Sequence, residues 1–191
     1  MSIESRKVGE VSPDGQFRWD GAQWEPLARG YREPTSWTRP LQQVAAAYLI
    51  VSTIFSLVTT ALFTSVAEVE RSVRTATPQL PEDQVQMQAT LGYAAGWVVI
   101  AIVGAIFVAL AIGGLLGWRW VFWVDVAVLA LSSIGVITSS LSLASVLPQS
   151  QPAASYGLSL VLSLAALALL VWFVVAAARY GPWAMRRPGA A

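Results

Sequence analysis

Asp125 is the one ionisable residue that lies well inside a long apolar stretch of this 191-residue chain. It follows Trp118 by seven residues, which is about 10 Å along a helix. A carboxyl at such a depth faces the interior of a bundle or water and marks a functional position by default. It can bind a proton or cation, form a structural ion pair, or contact another membrane protein. We expect its partner to be Arg179, which can reach inward from the end of the last apolar stretch; Gln42 and Gln43 are alternatives.

Hydroxyl side chains continue from Asp125 along the same predicted helix. Ser132 and Ser139 follow at intervals of seven residues and Ser142 comes three residues later, so all share one helix face. Asp125, Ser132, Ser139 and Arg179 therefore form a candidate intramembrane polar site. The hydroxyls would line a small polar cavity, or they would be satisfied by hydrogen bonds inside a helix bundle.

The sequence lacks the residues that other kinds of functional site require. The chain has no Cys and no His, which removes thiol and imidazole catalysis, disulfides and the usual zinc sites. It has no Gly-rich phosphate loop, no cluster of metal ligands and no nucleophile beside a base. We therefore expect neither an enzyme nor a bound cofactor or metal. Twelve basic and eleven acidic residues nearly cancel, which gives no reason to expect nucleic-acid binding.

The elements that would hold Asp125 are membrane helices. Hydrophobic residues make up 55% of the chain and charged residues 12%, against about 45–50% and 25% in soluble domains. Four apolar stretches, about 41–64, 91–116, 120–147 and 156–178, reach the roughly 20 residues that cross a bilayer. We predict an all-α, up-down, four-helix transmembrane bundle over residues 41–180, between an N-terminal segment, 1–40, and a tail, 181–191. The short links make the second, third and fourth helices antiparallel neighbours.

The positive charges predict the orientation of this bundle. The N-terminal segment holds six Lys or Arg, the loop after the first helix two, the second link one and the tail three. With both termini inside, ten of the twelve positive charges are cytoplasmic. We predict a multi-pass protein of the cell membrane with cytoplasmic N- and C-termini.

Small residues recur at every fourth position of the predicted helices, which permits close backbone approach. In the second helix they form one face that either packs inside the bundle or joins two copies of the chain. The first and fourth helices carry serines and threonines at the same spacing. The residues of the second-helix face are Ala101, Ala105, Ala109, Gly113 and Gly117.

The long loop after the first helix is predicted to be helical at both ends. Glu70 and Arg74 have helix-compatible spacing, and Pro81 followed by two acids reads as a helix start. We expect the first and second helices to extend out of the membrane and to turn near residues 75–80.

The segment Ser12–Leu27 predicts a β-hairpin. Asp20-Gly21 is a strong two-residue hairpin turn, and it would place Trp19 opposite Ala22 and Phe17 opposite Trp24. Phe17, Trp19 and Trp24 then share one face. An isolated hairpin is marginally stable in water, so this aromatic face should dock on headgroups, the bundle, another copy or a partner.

The spacing of Asp14-Gly15, Arg18-Trp19-Asp20-Gly21 and Trp24 resembles the short Trp-Asp-Gly hairpin module. That module is a domain of unknown function near the N-termini of many actinobacterial membrane proteins. The segment Gly117–Trp120 also resembles uncharacterised four-helix membrane proteins of those bacteria. The likeness covers about 16 residues at the hairpin and implies no chemistry.

Two functions fit these patterns. The first is a non-enzymatic accessory, scaffold or regulatory protein that acts through protein contacts or self-association in the lipid bilayer. The alternative is a small transporter, channel or lipid-handling protein that uses Asp125 and a bundle interior lined by Ser and Thr.

Overall fold

The computed structural model describes residues 7–14, 16–27, 32–144 and 153–186. Within them, four helices are long and apolar enough to cross a membrane. These are α1 (Thr38–Phe63), α3 (Glu82–Leu115), α4 (Arg119–Leu143) and α5 (Ala153–Tyr180), and a shorter helix, α2 (Val66–Ala76), lies between α1 and α3. The predicted all-α membrane fold is confirmed. The predicted third-helix end at residue 147, residues 148–152 of the following link and the turn residue Gly15 lie outside the described residues.

The helices associate as two antiparallel pairs, α1 with α3 and α4 with α5. Contacts between the pairs are sparse. The buried core lies mainly where α1 begins, α3 ends, α4 begins and α5 ends, and we call this the junction end of the bundle. The opposite end, which carries α2, is the loop end. The second and third membrane helices are antiparallel as predicted, but their contact is much smaller than that within either pair.

A glycine ends α3 and turns the chain into α4. Gly117 has a φ of 75°, a left-handed conformation that glycine adopts without a Cβ clash. Its N–H donates to the Gly114 carbonyl at 3.0 Å, and the Trp118 N–H donates to the Gly113 carbonyl at 3.0 Å. This pair of bonds is the Schellman motif, and it explains why only three residues separate α3 from α4.

The stripe of small residues on α3 does not make the contact with α1. Ala101, Ala105 and Ala109 are exposed on the protein surface. The close approach is at Gly104, where a Cβ would lie 3.1 Å from the Thr53 methyl group. Gly113, the fourth member of the stripe, is buried against Val121 and Trp118 at the junction end.

Serines hold α4 against α5. The Ser139 hydroxyl donates to the Ser159 hydroxyl at 3.1 Å, and a Cβ at Gly135 would lie 2.3 Å from Ser163 Oγ. Ser139 and Ser163 are buried. Hydroxyl hydrogen bonds between helices, one of the two interpretations of the serine pattern, are therefore present in this pair.

The predicted outward extension of the first helix is interrupted at the loop end, between Phe63 and Val66. Ser65 caps α2 by accepting a hydrogen bond from the Glu68 N–H, so α2 is separate from α1. Helix α3 starts at Glu82 directly after Pro81, as the proline and acids predicted. Arg74 pairs with Glu70 of its own helix at 2.8 Å and joins α2 to α3 by an ion pair to Glu82 at 2.9 Å.

The N-terminal hairpin is present, with a longer turn than the sequence predicted. Strands β1 (Phe17–Trp19) and β2 (Trp24–Pro26) are antiparallel, and Trp19 pairs with Trp24 and Phe17 with Pro26. The predicted pairs of Trp19 with Ala22 and Phe17 with Trp24 are wrong. Asp20 is the cause, because its carboxylate accepts hydrogen bonds from the N–H groups of Ala22 and Gln23 and so stabilises a four-residue loop.

A second pair of short strands joins the segment before the first membrane helix to the segment after the last one. Strand β3 (Glu33–Pro34) lies just before α1, and it pairs antiparallel with β4 (Met185–Arg186), which follows α5. Residues 181–186 therefore fold back across the junction end. The predicted tail, 181–191, is therefore not separate from the bundle over its described part, because Trp183 and Ala184 are buried in the core.

Candidate functional site

Asp125 lies in the core of the junction end. Its side chain is on α4 and it is only 2% exposed. Among the described residues, neither carboxylate oxygen has a hydrogen-bond partner. A buried polar group without a partner costs free energy, so the position requires a compensating role.

Gly114 of α3 and Trp183 surround this carboxyl. A Cβ on Gly114 would lie 3.6 Å from Asp125 Oδ2 and 3.0 Å from the Trp183 ring. The carboxyl and the indole therefore meet at the bare backbone of α3. A glycine suits this position because a side chain there would make an unusually tight contact with the Trp183 ring, which would have to shift.

Trp183 is fully buried, although tryptophans just beyond membrane helices are enriched at the membrane interface. Its ring packs edge-on against Phe122 and Phe173, with ring centroids 5.4 and 5.7 Å away. Its indole Nε1–H donates to the Trp118 carbonyl at 2.8 Å. Hydropathy could not reveal this burial, because an aromatic belt and a folded-back turn use the same residue types.

Hydroxyls just before and at the start of α1 hold the turn that carries Trp183. The Thr35 and Thr38 hydroxyls donate to the Ala184 carbonyl at 2.8 and 3.0 Å. The Arg32 guanidinium donates to the Met185 carbonyl at 3.2 Å. An exposed ion pair of 3.7 Å between Arg186 and Glu33 accompanies these bonds. The turn is therefore fastened by polar groups at its edge and by aromatic packing at its centre.

The backbone of this turn is strained. Trp183 and Ala184 have φ values of 58° and 52°, in the left-handed region that costs an L-residue about 1–2 kcal/mol. Such strain persists only where surrounding contacts impose it, and it clusters at functional and switching segments. The preceding Gly181, with a φ of 95°, lets the chain reverse directly after α5.

The four residues of the predicted polar site do not form one cluster. The expected partnership of Asp125 with Arg179 is absent, because Arg179 lies on the exposed surface and the carboxyl has no partner among described residues. Ser139 lies farther toward the loop end, where it binds Ser159 of α5, and Ser132 is half-buried between them. Of the alternative partners, Gln42 is buried near Gly117 and Gln43 is exposed.

The hairpin presents the predicted aromatic face. Trp19 and Trp24 contact edge to face with ring centroids 5.5 Å apart, and both are half-buried. Phe17 lies two residues before Trp19 on the same face and is 36% exposed. The face is preserved because the observed pairing is displaced by two residues from the predicted one, and strand side chains alternate with a period of two.

The hairpin is a folded unit with its own hydrogen bonds. The segment before it pairs with β1 through bonds between Gly9 and Trp19 and between Trp19 and Glu10, at 2.8 and 2.7 Å. Accepted hydrogen bonds lower the pKa of two hairpin carboxyls. The donors are the Ser12 hydroxyl and then the Gln16 N–H for Asp14, and the Gln23 and then the Ala22 N–H for Asp20.

No described group of three or more potential metal-ligating side chains is close enough to hold a metal ion. Comparison with known proteins adds no assignment: no protein-family model matches the chain, and no curated protein or solved structure is detectably similar to it. Function must therefore be argued from the bundle, the hairpin and Asp125.

Proposed function

We propose that this multi-pass membrane protein is non-enzymatic and acts as an accessory, scaffold or regulatory protein through contacts of its N-terminal hairpin. The observation that carries the proposal is the hairpin itself. It makes its own backbone hydrogen bonds, its main contacts with described elements are internal, and Phe17 of its aromatic face is 36% exposed. A small β-unit of this kind gains stability when the face is covered.

The charge of the hairpin favours a protein as the partner. The described residues 7–27 carry four acids and two bases, a net charge of −2. Anionic headgroups attract basic segments and would repel this one. The four acids are Glu10, Asp14, Asp20 and Glu25, and the bases are Lys7 and Arg18.

Orientation follows as part of the proposal. The structure brings the start of α1, the α3–α4 turn and the end of α5 to the junction end. Ten of the twelve positive charges belong to segments at that end, so the positive-inside rule makes it cytoplasmic. We also propose that the hairpin belongs with the Trp-Asp-Gly modules that it resembles.

Gentle co-purification from the native membrane, followed by mass spectrometry of proteins and lipids, tests the contact function. The wild type is compared with a variant that combines Phe17→Ala, Trp19→Ala and Trp24→Ala. The control combines Gln16→Ala and Gln23→Ala, two exposed residues of the same hairpin. We expect a stoichiometric protein that is retained by the wild type and the control and lost from the aromatic variant.

Recovery of the wild type alone would contradict the contact function, as would equal retention of the partner by all three forms. A deletion of Val11–Leu27 provides a second loss of the face, and it does not depend on how the substituted hairpin folds.

Asp125 favours a second candidate, a small transporter. Buried carboxyls in membrane helices mark ion and proton pathways. In liposomes containing the purified protein, a transporter would produce a proton or cation flux that Asp125→Asn abolishes. Absence of flux, or flux that survives Asp125→Asn, would remove this candidate.

A further inference from the structure

The turn after α5 packs against α3 directly beside Asp125 at the junction end. Its buried Trp183 meets the same backbone position, Gly114, that the Asp125 carboxylate meets. The segment that holds it, β3 and the start of α1, lies at the surface of this end. We call residues 181–186 the lid.

Two properties of the lid oppose each other. Left-handed backbone at Trp183 and Ala184 destabilises the closed form by an amount that is recovered when the lid opens. Aromatic packing and the hydroxyl bonds to the Ala184 carbonyl stabilise it. The strain therefore lowers the free-energy cost of opening the lid.

Opening of the lid would change the surroundings of the Asp125 carboxyl. Closed, the lid leaves both Asp125 oxygens without a described partner. Open, it would let water supply the missing hydrogen bonds. A single carboxyl with no second described ligand beside it is suited to a proton, since alkali and divalent cations need several oxygens.

We propose that the lid opens and closes over Asp125, and that the carboxyl exchanges a proton with water at the junction end only when the lid is open. This inference does not depend on the hairpin contact or on a measured flux. It assigns Asp125 a site, its ligand and the segment that controls access.

Other charged and titratable groups of the junction end stand at its surface or are already engaged. Arg39, Arg119 and Arg179 are exposed, Arg32 donates to the lid and Glu33 pairs with Arg186. The tyrosines of the surrounding cluster are Tyr48 of α1 and Tyr180 of α5. Within α3, the described acids Glu82 and Asp83 lie at the opposite, loop end.

Carboxyl labelling of the full chain in lipid nanodiscs tests the lid. A water-soluble carbodiimide with excess glycinamide converts accessible carboxyls to amides, and mass spectrometry gives the rate at each residue. Exposed Asp83 is the internal reference for reagent activity, and Asp125→Asn verifies the assignment of the labelled peptide. In the wild type we expect labelling of Asp125 that is measurable and at least about tenfold slower than that of Asp83, because a buried group reacts only through opening.

Two variants should change the opening equilibrium of the lid in opposite directions. Thr35→Val with Thr38→Val removes the hydroxyls that hold Ala184 and should accelerate Asp125 labelling about fivefold for each lost hydrogen bond. Ala184→Gly relieves the left-handed strain and should slow it. Thr59→Val is the matched control, because its hydroxyl bonds only within α1 and its loss should leave the rate unchanged.

Three results would overturn the proposal. The first is wild-type labelling of Asp125 as fast as that of Asp83, and the second is no labelling in any variant. The third is a rate that changes in neither lid variant. A thermal-unfolding measurement on each variant separates lid opening from global unfolding, and Ala184→Gly still tests the lid if the double threonine variant does not fold.

Discussion

Gly114 is the residue at which α3, α4 and the lid meet. A methyl group there would lie 3.0 Å from the Trp183 ring, so Gly114→Ala should lower the free energy of unfolding by about 1–3 kcal/mol through overpacking. Thermal unfolding of the detergent-solubilised protein measures this. Gly96→Ala on the same helix is the control, because nothing lies within 4 Å of its Cβ position. Equal effects of the two substitutions would contradict the packing at Gly114.

Trp183 contributes a hydrogen bond as well as packing. Trp183→Phe removes the indole N–H that donates to the Trp118 carbonyl and should lower the free energy of unfolding by about 2 kcal/mol, from the lost bond and the smaller ring. Trp120→Phe is the matched control, since Trp120 is 59% exposed. Thermal unfolding measures both variants. If Trp183→Phe destabilises the protein no more than Trp120→Phe does, Trp183 does not contribute buried packing and a hydrogen bond to stability.

Residue types alone identified Asp125 but not its surroundings. An acid in an apolar run is visible in the sequence because charged residues are rare inside membrane helices. The nearby Gly114 and Trp183 come from other segments, and only the folded-back turn brings them there. Arg179 was the wrong partner because hydropathy places a residue along a helix and says nothing of the face that the bundle buries.

At the scale of elements, the hairpin depends on two ionised aspartates. Hydrogen bonds lower the pKa of Asp14 and Asp20 below the ordinary value of 3.8. A carboxyl with a lowered pKa in the folded state stabilises that state above its unfolded pKa, and this contribution disappears as pH falls through the folded value. The hairpin should therefore be intact at neutral pH and loosen progressively below about pH 4.

The near-ultraviolet circular dichroism of the Trp19–Trp24 pair reports this loosening in the full chain. A variant that combines Asp14→Asn and Asp20→Asn keeps oxygen acceptors in place and should lose most of the pH dependence. A signal that stays flat to pH 2 in the wild type would show that these carboxylates do not hold the turns.

The elements were predictable to the extent that local patterns specify them. Hydropathy predicted four membrane helices, and Pro81 with its acids predicted the start of α3. The hairpin register was not predictable, because Asp20 favours a short turn by its pairing with Gly21 and a longer loop by its side-chain bonds. The separate helix α2 was missed because its spacing continues the periodicity of a helix, while Ser65 acts only through its cap.

At the scale of the whole molecule, the orientation of the bundle can be measured with cysteines, since the chain has none of its own. Ser72→Cys lies exposed on α2 at the loop end, and Ser36→Cys lies exposed just before α1. With the junction end cytoplasmic, an impermeant maleimide should label intact cells at position 72 and should label position 36 only after permeabilisation. The reverse pattern would invert the proposed topology.

The strand pair β3–β4 also sets an order of events during synthesis. The bond from Arg32 to Met185 joins residues 153 positions apart. Strand β3 therefore cannot pair with β4 until most of the chain has been synthesised. At about 5–20 residues per second, that interval is roughly 8–30 s. Asp125 precedes Trp183 by 58 residues, so a nascent bundle holds this carboxyl without its cover for roughly 3–12 s. The junction end is thus the last part of the molecule to close, and a chain that stops directly after α5 would leave four membrane helices without the strand pair and the buried tryptophan that seal them.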